Sequence, residues 1–118
     1  MDQTEINFTR SDQNGIVLIE VNDKRLDSRL ATRYKQEFLV MKNDGIKSVI
    51  VDLSNVTFID SSGLGALLFG RRIFNESNGD LRILGAREKV LNMFRIAKLD
   101  RVFEFYDDQS SAMNSFSD

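Results

Sequence analysis

The stretch Ser48-Val49-Ile50-Val51-Asp52-Leu53 constrains the fold more than any other part of the chain. It crowds four aliphatic residues into a segment too short for a core helix, the pattern of a strand covered on both faces. Such a strand needs neighbours on either side and helices above and below. This one segment therefore predicts the central strand of an α/β sheet.

The flanking segments agree. Ile6 to Thr9 and Ile16 to Val21 are β-branched or aromatic runs separated by Ser11-Asp12-Gln13-Asn14-Gly15, which predicts an antiparallel hairpin turning at Asn-Gly. Leu30, Tyr34, Phe38 and Met41 share one face of a helix that Asn43-Asp44-Gly45 ends. Leu64, Ala66, Leu67, Leu68, Phe69, Ile73 and Phe74 give a second helix, from Ser62 to about Ser77, a broad apolar surface, and Asn78-Gly79 closes it. Leu81 to Leu84 alternates as a strand. Val90, Leu91, Phe94 and Ala97 form a third helical face, and Val102 to Tyr106 a last strand. The predicted order is β-β-α-β-α-β-α-β: an α/β fold with a mixed, mainly parallel sheet of four to five strands, an N-terminal antiparallel hairpin and helices packed against the sheet. In the tail, 107–118, Ala112, Met113 and Phe116 leave a short helix and irregular chain both open.

At 118 residues the chain has room for one sizeable core, so we read residues 1–118 as one domain. Composition removes several functions. With neither Cys nor His, the chain has no disulfide, thiol nucleophile, imidazole metal site or histidine-based triad. Sixteen basic residues are dispersed among eighteen acidic ones without a basic run, which gives nucleic-acid binding no support. Residues 1–5 lack the basic and apolar regions of a signal peptide, and no apolar run approaches a membrane span of roughly 20 residues, so a cytoplasmic chain without membrane insertion is expected.

Binding sites in open α/β sheets gather where parallel strands end and helices begin. The loop leaving the central strand ends in Asp60-Ser61-Ser62-Gly63-Leu64-Gly65, rich in hydroxyls and glycine at the entry to the most hydrophobic helix. Taken alone, Asp60 to Gly63 describes a capped helix start. Gly63 and Gly65 add a reason to look further. Each costs about 1 kcal/mol relative to Ala inside a helix, and the expected return is close approach of another backbone or a partner. A phosphate on Ser61 would bring a charge of about −1.5 to −2 to a helix N-terminus, where free N–H groups tolerate it, while a partner's surface would be repelled.

The run from Val49 to Leu68, with its Asp60-Ser61-Ser62-Gly63-Leu64-Gly65 core, resembles the signature of the STAS domain, and with the element order the resemblance covers about residues 5–106, with the signature core at 48–70. Among STAS proteins it is most similar to the anti-sigma factor antagonists. The resemblance implies that Ser61 is phosphorylated by a serine kinase that is also the anti-sigma factor. It further implies that the unphosphorylated form sequesters that kinase, that phosphorylation ends the binding, and that a serine phosphatase acting on phospho-Ser61 restores it. Asp27 falls where the family carries an acidic residue, although Lys24-Arg25 stand in place of the usual Gly-Glu, and a plain N-cap of the first helix explains Asp27 equally. Asp27, Asp60, Ser62, Gly63, Leu64 and Gly65 are the expected partner-binding residues around Ser61, with Leu64 partly exposed.

Two other readings remain at this point: a constitutive STAS subunit docked to a membrane-lipid transport ATPase, and a STAS scaffold in another signalling complex. An enzyme would have to use Asp27, Asp52 and Asp60 around a hydroxyl. No base partner, phosphate-cradling loop ending in Lys-Ser or Lys-Thr, or full dinucleotide fingerprint accompanies them, and no cofactor is implied.

Overall fold

The computed structural model of the protein describes residues 5–117. Strand β1 (Phe8–Gln13) turns into β2 (Ile16–Val21) through Asn14 and Gly15, both at positive φ, 54° and 80°. This two-residue geometry matches the twist of an antiparallel pair. It also explains why β1 extends beyond its sequence-predicted end at Thr9. A two-residue turn leaves Ser11, Asp12 and Gln13 free to pair with Leu18, Val17 and Ile16.

The chain continues through β3 (Arg25–Leu26), α1 (Ser28–Asn43), β4 (Ser48–Asp52), β5 (Phe58–Ile59), α2 (Ser61–Glu76), β6 (Asp80–Leu84), α3 (Glu88–Ile96), β7 (Phe105–Tyr106) and α4 (Gln109–Asn114). Five strands form the main sheet in the order β1-β2-β4-β6-β7, parallel except for the β1–β2 hairpin. As its sequence predicts, β4 is central, and Val49, Ile50 and Val51 have no accessible surface.

Helices α1, α2 and α3 contribute to the larger core cluster. Leu30, Tyr34, Phe38 and Met41 of α1 are buried with Leu64, Ala66, Leu67, Ile73 and Phe74 of α2 and Val90 and Phe94 of α3. Phe38 meets Phe74 edge-on with ring centroids 6.3 Å apart. A second cluster gathers Ile16, Ile50 and Leu84, the residues of β2, β4 and β6 that alternate with the first core's, around Ala112 of α4. Thus the tail does form a helix. Asp108 caps it by accepting from Ser111 N at 2.8 Å, and Arg82 pins its end, donating to Ser115 O at 2.6 Å with its guanidinium 4.1 Å from the Phe116 ring centroid.

The last strand is shorter than the sequence predicts. Val102 N donates to Leu99 O in a turn, and Phe103 packs edge-on against Phe94, leaving only Phe105 and Tyr106 to pair with β6. No helix among the described residues is long and apolar enough to cross a membrane.

Candidate functional site

Two short strands that periodicity does not reveal build the site. After β4 the chain makes an Asx turn, with Asp52 Oδ1 accepting from Ser54 N at 2.9 Å, and then buries Leu53 and Val56. Thr57 N and Phe58 N next donate to Lys24 O at 2.8 and 3.2 Å. That junction sets β5 parallel to β3, Arg25 opposite Phe58 and Leu26 opposite Ile59. Both strands run directly into helix caps. Asp27 opens α1, accepting from Arg29 N at 3.1 Å, and Asp60 opens α2, accepting from Gly63 N at 2.9 Å. The ladder therefore holds two helix N-termini side by side.

Gly63 shows how close they lie. A Cβ there would overlap the Leu26 carbonyl oxygen and come within 2.8 Å of Ile59 Cγ1. The close backbone approach expected at this glycine is thus made within the chain itself. Gly65, two residues on and partly exposed, is different: a Cβ there would meet nothing within 4 Å.

Ser61 is the first residue of α2 and is exposed, and its hydroxyl has no hydrogen-bond partner among the described residues. Its neighbours have committed side chains, Asp60 to the Gly63 amide and Asp27 to Arg29 and Arg25, whose Nε atoms lie 3.2 and 3.5 Å from the Asp27 carboxylate. Burial raises the Asp27 pKa. The Arg29 amide and guanidinium, with help from Arg25, outweigh that effect and hold the carboxyl below its ordinary value. Asp52, Asp27 and Asp60 are each engaged locally rather than converging on one point, and no group of three acidic side chains among the described residues could hold a metal ion.

Leu64 requires a correction. Instead of being partly exposed it is 3% accessible, because with Asp60 as cap the residues at 63, 64, 67, 70 and 74 form the stripe facing the sheet. Of the predicted set Ser61 is exposed and Asp60, Ser62 and Gly65 are partly so, whereas Asp27, Gly63 and Leu64 are buried. The apolar contact surface beside Ser61 is instead Phe58, 38% accessible, with the Arg25 guanidinium 4.1 Å from its ring centroid. Sequence reasoning also left out Arg25 and Arg29 as site residues. The signal for Arg25 was the Lys24-Arg25 pair itself, whereas Arg29 reads as an ordinary helix residue until its contact with Asp27 is seen.

A doubly capped ladder at the carboxyl end of a mixed sheet, with an exposed serine opening the second helix, defines a STAS domain, and the chain belongs to that family, which it matches over residues 8–112. It is 27% identical over 94 residues to the anti-sigma-B factor antagonist of Staphylococcus aureus (strain NCTC 8325 / PS 47), covering 80% of this chain and 86% of that protein. The crystal structure of a candidate anti-sigma factor antagonist from Thermotoga maritima superposes with a TM-score of 0.83 at 28% identity, covering 92% of both chains. The Bacillus anti-sigma factor antagonist SpoIIAA shares the fold at 18% identity, with TM-scores of 0.80 for its unphosphorylated form and 0.72 for its phosphorylated form; each match covers 92% of this chain, and 95% and 98% of the respective SpoIIAA chains.

Proposed function

We propose that the protein is an anti-sigma factor antagonist that works by partner switching. Unphosphorylated, it sequesters an anti-sigma factor that is also a serine kinase; phosphorylation of Ser61 ends that contact, and a serine phosphatase restores it. The observation that carries this reading is the exposed Ser61 hydroxyl, uncommitted among the described residues while the side chains of Asp60 and Asp27 beside it are already bonded. The relatives named as anti-sigma factor antagonists support it, as does the existence of SpoIIAA in both phosphorylation states.

The chemistry at the helix start accommodates the modification. Asp60 uses the Gly63 amide, so the Ser61 and Ser62 amides at the positive end of α2 remain beside a phosphate on Ser61. The fold survives while a contact surface acquires about two negative charges, which a docked partner would have to desolvate. Ser62, Gly65 and Phe58 are the surface such a partner would meet, with Asp27 and Asp60 positioning the two helix starts. Gly63 and Leu64 support the loop from inside.

The test is phosphorylation with ATP and the serine kinases of the protein's own organism, with the phosphate located by mass spectrometry. Label on Ser61, absent in Ser61→Ala, is expected. Ser61→Asp should bind the kinase at least tenfold more weakly than Ser61→Ala. Label confined to Ser62 or to the Ser110 to Ser117 tail would refute the site, and equal binding of the two variants would favour a constitutive scaffold.

A further inference from the structure

Phe58 lies in the middle of a band of cations. On one side Lys24, whose carbonyl holds the Thr57 and Phe58 amides, leads into Arg25 over the ring and Arg29 beyond it, the two arginine side chains 56% and 62% accessible. On the other side Thr57 shares a cavity of about 270 Å³ with Arg87, Glu88 and Lys89 of the α3 N-terminus. The carboxylates in the band are occupied. Asp27 lies between Arg25 and Arg29, Asp60 caps α2, and Glu88 pairs with Arg95 at 2.9 Å. Asp23, next to Lys24, accepts from the Tyr34 hydroxyl and the Asn7 amide, both at 2.9 Å. Five cationic side chains thus exceed the four acidic ones, Asp23 included, by one charge, with Arg87 also donating to Ser54 O at 2.6 Å, so the band is weakly positive in a chain whose net charge is −2.

We infer that this band is the docking surface for an acidic protein segment. Arg25 and Arg29 offer forked donors suited to carboxylates, Phe58 covers the segment's aliphatic carbons, and the cavity beside Thr57 receives a side chain between Arg87 and Lys89. A protein fits better than a nucleic acid. The band holds one exposed ring rather than the series of stacking platforms that single-stranded nucleic acid uses. The inference deepens the switching proposal and rests on it for one point, that Ser61 lies inside the same contact. A phosphate there would offset the band's positive charge and repel the acidic segment, giving release an electrostatic cause.

The test begins with a photoreactive benzophenone amino acid in place of Phe58, irradiated in cells of the protein's own organism, and the adduct sequenced by mass spectrometry. A peptide rich in Asp and Glu is expected. A basic or uncharged peptide, a nucleic acid, or no adduct would overturn the inference. With the cross-linked partner purified, Arg25→Gln/Arg29→Gln should weaken binding at least tenfold at low salt, and so should Lys89→Glu, which touches neither helix cap. The wild-type dissociation constant should rise with ionic strength. Unchanged binding in both variants would also overturn it. The two proposals fail separately: loss of binding in the charge variants with Ser61→Asp still bound leaves the docking surface standing and removes the switch, and the reverse pattern does the opposite.

Discussion

A methyl group on Gly63 would run into the Leu26 carbonyl, whereas on Gly65 it would meet open space. Two glycines two residues apart should therefore respond to alanine with opposite signs. Gly63→Ala is expected to cost about 1–3 kcal/mol by overpacking, and Gly65→Ala to stabilise by about 0.5–1 kcal/mol through the entropy of the unfolded chain; urea denaturation measures both. Under the proposed partner switching, Gly65→Ala should also weaken binding of the partner, because the added methyl group stands on the partly exposed side of α2 beside Ser61. Asp27 makes a prediction in pH. Its folded pKa lies below that of the unfolded chain, so the unfolded chain takes up the proton first as pH falls. The stabilisation is present above the unfolded value of about 4 and is lost as pH falls toward the folded one. Asp27→Asn, which keeps a cap oxygen, should lose less stability than wild type between pH 6 and pH 3; identical losses would show that Asp27 does not carry the effect.

Elements here divide into those that carry the fold and those that present the site. Leu64 lies on the buried stripe of α2, so Leu64→Ala should cost about 2–5 kcal/mol, while Phe58→Ser on the exposed side of β5 should stay within about 1 kcal/mol and act on binding instead. Thermal melts beside binding titrations separate the two classes. Helix α4 adds a different test. Its six residues are too few to persist alone, and it is held by Ala112 against Ile50 and Leu84 and by Arg82 on Ser115 and Phe116. Arg82→Gln should lower hydrogen-exchange protection of the 112–115 amides at least tenfold and leave β4 unchanged. Equal protection in the variant would mean that the apolar contacts alone hold α4.

For the molecule as a whole, the absence of proline from all 118 residues removes the slow isomerisation of tens of seconds that proline-containing chains show on refolding. Refolding followed by fluorescence or far-UV circular dichroism should lack that phase, and a prolyl isomerase should not change it. The sequence by itself determined the α/β architecture, because the apolar run at 48–53 and the helical faces of α1 and α2 are local patterns set by burial on a sheet. It also marked Asp60, Ser61 and the glycines, since cap chemistry is local too. Only the tertiary structure decided which way those residues face. The β3–β5 ladder joins residues more than thirty apart, so no periodicity announces it, yet it fixes the start of α2 and with it the burial of Leu64 and the exposure of Phe58 and Ser61. The positive band arises the same way: its cations come from the starts of β3, α1 and α3 and the residues just before β3 and α3, two separate stretches of the chain gathered only because these elements begin at the same edge of the sheet.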